Sequence, residues 1–445
     1  MANAYRTATR AAIAALVWAT VMAARAVAQT PPDDLARDVA LLRAEIQQLR
    51  AELEALKRPS DAPGGGAADT PGSPAIEMLQ TQVAELAQGK VESTSRLPVR
   101  LFGTIHAGVF ANSGHPNWLD IPNLVGATAA GSRAGTMSAS LRQTRIGFAA
   151  DGPAIGSMRT NAVVAMDFFG GIPGFQTGQV MGLPRLLVAY GRIEGERSAI
   201  EIGQDHMILA PRDPTSLAAF AFPLLFRSGN LYLRVPQVRV EYAWTSRLRT
   251  TAGIVAPVAG DLTGDTYQFV PPALSGERSR RPGVQTRFAY TTGAPGAERS
   301  IDIGLSGHVG WEQRAATLDR SWAAAVDYSA RRDLFGVAGE LFVGDNMDAF
   351  GGGLGLDARS AGGWTELQLF PSRKVSFTAG FGIDDLRGSD RRLLPRQENR
   401  SVFGSVIFSL RPELQASFEY RRLTTLAGGD ARRNHHFDWV FVHKF

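Results

Sequence analysis

From about residue 97 to Phe445, apolar side chains recur at every second position in segments of about ten residues. Such a segment is a β-strand with one apolar face, and about ten residues is the length that crosses a bilayer as a tilted strand. The clearest are 99–111, 162–168, 186–190, 238–244, 284–290, 322–328, 375–383, 414–420 and 437–445. In the last, Phe437, Trp439, Phe441 and Phe445 alternate with Asp438, Val440, Val442 and Lys444. Sixteen such segments can be marked, and in none does the apolar set contain Asp, Glu, Lys or Arg. A lipid face requires this, because a charge at mid-bilayer costs roughly 2 to 4 kcal/mol. The pattern predicts an all-β fold over 97–445, a sixteen-stranded antiparallel transmembrane β-barrel. A soluble β-sandwich would share the alternation, but Trp244, Tyr290, Trp322, Tyr328, Tyr420 and Trp439 stand near strand ends, where interfacial girdles place them.

Connection lengths give an independent check. Short links at 150–156, 194–198, 245–247, 330–333, 371–374 and 411–413 alternate with mostly longer ones. The longer links cover 112–138, 170–183, 210–229, 257–281, 344–362, 385–400 and 424–434. Counting 350–359 as a strand would put the link at Asp385 on the wrong side, so it is read as loop. Short periplasmic turns opposite longer outer loops are the asymmetry of outer-membrane barrels, and the count leaves both chain ends in the periplasm.

The N-terminus reads as an export signal. Arg6 and Arg10 precede an uncharged run to Ala24, and Ala26-Val27-Ala28 offers a small-x-small cleavage site, giving a signal peptide over 1–28. In 29–58, Leu35, Val39, Leu42, Ile46, Leu49, Leu53 and Leu56 form an unbroken heptad seam, the mark of a coiled coil that self-associates. Asp33 and Asp34 suit its start, and Pro59 stops it. Residues 59–75, rich in Gly, Pro, Ala and Asp, form a flexible linker; Ile76, Leu79, Val83 and Leu86 mark a short helical segment over 76–96.

Charge and cysteine content narrow the function classes. Cleavage would remove three basic residues and lower the formal net charge from +5 to +2, too little to argue for nucleic acid. The absence of cysteine excludes thiolate metal sites, Cys nucleophiles and disulfides. The histidines are scattered, and the neighbours His435 and His436 point to opposite strand faces, so no metal or cofactor is expected. Gly351-Gly352-Gly353-Leu354-Gly355 lacks the strand-to-helix setting of a phosphate loop. An enzyme is not expected, a barrel hydrolase being the weakest alternative.

The terminal strand ending in Phe445 resembles the C-terminal signal of bacterial outer-membrane proteins. The whole arrangement resembles the DcaP-like dicarboxylate-uptake porins: signal peptide, heptad segment, the opening strand Leu97-Pro98-Val99-Arg100-Leu101-Phe102-Gly103, then Thr144-Arg145-Ile146-Gly147-Phe148 and Ile202-Gly203-Gln204-Asp205. Leu233-Arg234-Val235-Pro236-Gln237-Val238-Arg239-Val240 has that family's Arg-x-Pro-Gln-x-Arg look. The phosphate-selective porins, which also set a heptad segment before a barrel, are close competitors. The resemblance implies a homotrimer in the outer membrane, in contact with bilayer and lipopolysaccharide, passing small hydrophilic solutes, often anions such as dicarboxylates. A structural outer-membrane protein with a periplasmic spacer is a further reading.

Inward residues decide which solutes pass a barrel. By parity, the first eight strands turn inward Arg100, Arg145, Arg159, Arg185, Arg234, Arg239, Arg249 and Arg287 against Asp167, Glu201, Asp205 and Glu241. The last eight turn inward Asp302, Asp327, Glu340, Glu366, Asp384, Glu419 and Asp438 against Arg421 and Lys444. This segregation would set a transverse field across the lumen; charges at the rims would instead be paired and solvated. Parity breaks at Pro236, as a β-bulge would produce, and Arg234 and Arg239 are both inward only if the bulge lies between them. The link 210–229 carries Arg212, Asp213 and Arg227 around an apolar run, which calls for folding into the lumen as a constriction or packing at a subunit interface. Deleting residues 33–58 is expected to weaken oligomerisation and leave the barrel folded; heat titration of the oligomer band tests this, and an equally stable truncated oligomer would rule the seam out as an assembly element.

Overall fold

The computed structural model describes residues 99–445, apart from 129–130, 132, 172–181, 261–272 and 295–296. The signal peptide, coiled coil, linker and second heptad segment expected over 1–96 therefore lie outside the described residues. The barrel unit comprises Pro98–Pro153 and Met158–Phe445.

Its strands, in chain order, are β1 (Val99–Asn112), β2 (Thr136–Ser140), β3 (Arg145–Asp151), β4 (Arg159–Asp167), β5 (Arg185–Glu194), β6 (Ser198–His206), β7 (Arg234–Ala243), β8 (Leu248–Val255) and β9 (Gly283–Thr292). Then follow β10 (Arg299–Arg314), β11 (Thr317–Arg332), β12 (Phe335–Asp345), β13 (Arg359–Ser372), β14 (Val375–Leu386), β15 (Glu398–Ser409), β16 (Leu414–Ala427) and β17 (Asp430–Lys444). From β3 onward each pairs antiparallel with its successor, and β1 closes on β17, with Thr104 opposite Lys444 and Asn112 opposite His436. Both β2 and β3 pair with β1, through Gly108↔Ser140 and Thr104↔Arg145, so they are two halves of one interrupted strand. The barrel therefore has the sixteen strands expected.

Alternation places the outer face as predicted. Leu101, Val109, Phe148, Leu186, Ile202, Val238, Phe288, Ile303, Val326, Leu341, Leu367, Phe418 and Trp439 are exposed, while Asp327, Glu340, Glu366, Glu419 and Asp438, next to the last five of these, are buried inside. A continuous apolar belt of this kind is the surface a barrel offers to acyl chains.

The turn-side links include 195–197, 244–247, 333–334, 373–374 and 410–413, with 152–158 and 293–298 somewhat longer. The loop side carries 113–135, 168–184, 207–233, 256–282, 346–358 and 387–397. No separate strand forms over 350–359: two short 3₁₀ turns, Asp348–Phe350 and Gly353–Gly355, occupy this stretch and its approach, and Arg359 already opens β13. One expectation fails: the link placed at 424–434 is a two-residue hairpin, because β16 and β17 stay paired up to Ala427↔Asp430. Gly428 and Gly429 make it with φ of 62° and 87°, the left-handed pair that a tight hairpin turn needs and that glycine adopts without strain.

The parity break near Pro236 has a different cause from the bulge expected there. The β6–β7 ladder runs without a register shift from Ser198↔Tyr242 to His206↔Arg234. Leu231 and Leu233 precede the strand altogether and belong to the 207–233 loop, and with no bulge in β7 Arg234 and Arg239 fall on opposite parities: Arg239 is inward beside Glu201 and Asp205, while Arg234, the first residue of β7, stands at the neck of the loop over the Tyr232 ring. The register shift in this region lies instead between β4 and β5, where Ala165 pairs with Val188 and Met166 with Leu186, leaving Leu187 as an extra, buried residue. That bulge exchanges the faces of the rest of β5.

Because the chain has no native cysteine, single-cysteine labelling can read the two ends directly. A membrane-impermeant maleimide should label Ser389→Cys on intact cells and Glu196→Cys only after permeabilisation. The reverse pattern would overturn the assignment of loop and turn ends.

Candidate functional site

The 207–233 loop holds Met207, Leu209, Leu217, Leu224, Leu225 and Leu231, and it buries them within the barrel. Its two ends meet where the Met207 N–H donates to the Leu233 carbonyl at 3.0 Å. Beside that neck, Met207, Leu209 and Leu231 pack with Val235, Val255, Phe342, Met347 and Phe350. Removing this apolar run from water supplies the drive for inward folding. Of the two alternatives left open by the sequence, the loop takes the interior.

Carboxylates of the far wall receive it. The Arg212 N–H donates to Glu340 Oε1 at 2.6 Å, and the Arg212 guanidinium donates to Asp327 Oδ1 at 2.7 Å. Glu366 accepts from the Thr215 N–H at 2.9 Å and its hydroxyl at 2.8 Å, and Glu419 accepts from the Ser216 hydroxyl at 2.7 Å. Glu340 also accepts from Asn230 at 3.3 Å and from the Trp364 indole at 3.1 Å. Further round, Gln143 accepts from the Phe220 N–H at 2.7 Å, and His106 Nε2 lies 2.8 Å from the Leu217 carbonyl. The approach is tight: a Cβ on Gly382 would strike the Ser228 carbonyl, and one on Gly229 the Gly363 carbonyl. The loop thus bridges the lumen, held at both sides through groups that would otherwise lack partners.

The predicted residues divide into distinct sets. Arg287 is committed to Asp302 at 2.8 Å and Asp327 at 2.6 Å, and Arg212 shares both carboxylates. Arg239 lies 2.9 Å from both Glu201 and Asp205. Arg159 stands at the turn end, 82% exposed and 3.5 Å from Glu194, remote from the loop. Asp213 is 3.7 Å from His206, and Arg227 donates to Asn123 at 3.4 Å beside Gly355. The acidic candidates Asp327, Glu340 and Glu419 are buried at 0 to 1% exposure beneath the loop. They are acceptors for the loop rather than one side of an open transverse field, which corrects the segregated-lumen expectation; Asp205 is the partly exposed partner of Arg239.

Three arginines remain at the loop's other flank. Arg185 pairs with Asp167 at 2.7 Å and donates to the Ala221 carbonyl at 2.9 Å. Arg145 donates to the Phe220 carbonyl, and neither Arg145 nor Arg234 has an ion pair among the described residues. They gather around Tyr232: burial raises the Tyr232 pKa, and Arg234, Arg185 and Arg145 each pull it the other way. Aromatic rings adjoin this group. Phe222 lies 5.8 Å from Tyr232, 5.8 Å from Phe169 and 4.8 Å from Trp118, with the Arg185 guanidinium 4.8 Å over the Phe222 ring. Partly desolvated guanidiniums beside ring faces, lacking a full complement of carboxylates, are suited to an anion that brings its own charge.

Sequence reasoning missed Arg192, which bonds Glu241 at 2.8 Å, because the Leu187 bulge reversed its face. It also missed Arg142, paired with Asp120 at 2.7 Å inside the barrel, because 141–144 interrupts the strand.

Comparison with solved structures gives the same architecture. The outer membrane channel DcaP of Acinetobacter baumannii superposes with a TM-score of 0.61 at 15% identity, over 78% of this chain and 97% of that one. The anion-selective porin from Comamonas acidovorans gives 0.53 at 13% identity, over 78% and 99%. OprB of Pseudomonas putida gives 0.50 at 11% identity, over 78% and 94%. These likenesses establish a porin-like barrel fold. No family model matches the chain, and no curated protein matches it in sequence.

Glu340→Ala should release the loop. The variant leaves the Arg212 amide and the Trp364 indole without their acceptor, at about 1 to 3 kcal/mol for each buried donor. A lowered thermal transition together with raised and noisier single-channel conductance is expected; unchanged conductance would mean that the remaining contacts hold the loop unaided.

Proposed function

We propose that this chain is an outer-membrane porin for small hydrophilic anions, working as a homotrimer with its N-terminal segment in the periplasm and its loop side among lipopolysaccharide. The observation that carries the reading is the imbalance across the 207–233 loop. On one flank Asp327, Glu340, Glu366 and Glu419 are used as hydrogen-bond acceptors; on the other, Arg145 and Arg234 stand without an ion pair among the described residues, beside Arg185 and Tyr232. A solute entering between them meets fixed positive charge in a passage of reduced dielectric, where charge interactions exceed their strength in bulk water.

Dicarboxylates are the solute class favoured here, since guanidiniums grip carboxylates by paired hydrogen bonds and several are clustered. Phosphate satisfies the same donors and is the alternative. The further residues proposed to border the passage are Arg159, Arg239 and Arg287 with Asp205, and Arg212, Asp213 and Arg227 on the loop.

In planar bilayers with a salt gradient, wild type should show an anion-selective reversal potential. Arg145→Gln combined with Arg234→Gln should move it toward cations, and the shift should shrink at high salt as the Debye length falls from about 10 Å at 0.1 M to about 3 Å at 1 M. A folded double variant with wild-type reversal potential would refute the proposed role of these arginines; absence of any conductance from folded wild type would favour a structural protein with a periplasmic spacer.

A further inference from the structure

A groove of about 1030 Å³ runs along the outer wall of the barrel at its turn end, across β10 to β15. Its position follows from the sequence of outward residues. Ala330, Ala379 and Gly404 are small and form a floor, while Ile301, Leu367 and Phe377 rise beside them and are exposed. The lining is overwhelmingly apolar, so water gains little by entering it.

At the turn-side edge, where headgroups meet the acyl region, Arg299 and Arg332 also border the groove. They are direct cross-strand partners in the β10–β11 ladder. Like charges directly opposite destabilise a sheet, and this pair is only half compensated. Arg299 has Asp333 at 3.3 Å, both side chains being largely exposed, and Arg332 has no ion pair among the described residues. The neighbouring Arg331 turns the other way and stacks over Phe370 at 3.9 Å.

We propose that this groove is a binding site for an anionic phospholipid of the inner leaflet, its phosphate bridging Arg299 and Arg332 and its acyl chain lying over Ala330 and Ala379. The proposal rests on the reading of the barrel as an outer-membrane porin with its turns in the periplasm. One ligand supplies both missing components: a phosphodiester accepts from two guanidiniums at once, and a flexible chain fills a dry furrow. A second copy of this chain would supply apolar surface but would enclose the half-compensated arginine pair, which needs a further anion.

The test is lipid retention by the full-length oligomer in native mass spectrometry after exposure to detergent micelles containing phosphatidylglycerol or phosphatidylcholine. Wild type should retain phosphatidylglycerol in preference to phosphatidylcholine. Arg299→Gln with Arg332→Gln should lower that retention by roughly tenfold or more. Ala379→Trp, which fills the floor and leaves the arginines in place, should lower it as well, with both variants keeping the heat-modifiable mobility of a folded barrel. Equal retention of the two lipids by wild type, or undiminished phosphatidylglycerol on the folded double-arginine variant, would overturn the proposal. So would loss of the oligomer in Ala379→Trp with no lipid on wild type, because the groove would then be a subunit contact. Retention is read without conductance, so an absent anion current would count against the porin function and not against this site.

Discussion

Closure of β1 on β17 governs everything else in this molecule. A sheet immersed in hydrocarbon has no water to satisfy its edge, and each unpaired backbone group would cost several kcal/mol, so the ladder must return to its first strand. The register from Thr104↔Lys444 to Asn112↔His436 does this, and the Phe445 N–H adds a bond to the Gly103 carbonyl at 3.1 Å. The break at 141–144 is tolerated under the same rule because a side chain and an off-ladder backbone carbonyl replace missing ladder bonds. The His106 N–H donates to the Thr144 hydroxyl at 3.1 Å, and the Phe168 N–H to the Arg142 carbonyl at 3.0 Å.

Closure also creates an interior, and the 207–233 loop determines its polarity. An empty lumen of this size would be water, and inward carboxylates would be solvated and screened. By crossing it, the loop converts one wall into a protein interior, where a carboxylate is retained only if donors surround it. Glu340 and Glu366 meet backbone N–H groups, while Asp327 meets two guanidiniums, from Arg212 and Arg287. The acidic half predicted from parity is real in sequence and largely removed from solvent in the fold. Charge counting over inward positions therefore misjudges the passage, since it weights committed and uncommitted groups equally.

The barrel was legible because lipid imposes a period of two and forbids charge on one face, both of which a single sequence displays. Sixteen strands, the loop ends and the rejection of 350–359 as a strand follow from that rule and from link lengths. The 424–434 link was misread because polar Thr424, Thr425, Arg432 and Arg433 look like loop, whereas they continue β16 and β17 beyond the apolar belt. Arg192 was hidden by the Leu187 bulge, which no residue type announces. The inward loop was legible only as an apolar run needing cover. Its anchors include His106, a strand residue that resembles any other inward position, and Gln143 in the 141–144 break, and neither is distinguishable in sequence until the loop contacts it.

The loop's many attachments bear on selectivity as well as stability. A guanidinium on a mobile segment would follow a passing anion and lose conformational entropy in doing so, whereas one already fixed gives its charge with little reorganisation. Arg145 is fixed through the Phe220 carbonyl, and Arg185 through Asp167 and the Ala221 carbonyl. The hydrogen bonds on the acidic wall therefore act on the basic flank through the backbone between Thr215 and Ala221. Carboxylates buried beneath the loop hold in place the backbone that carries the carbonyls on the arginines, so the anion preference proposed here would depend on both walls.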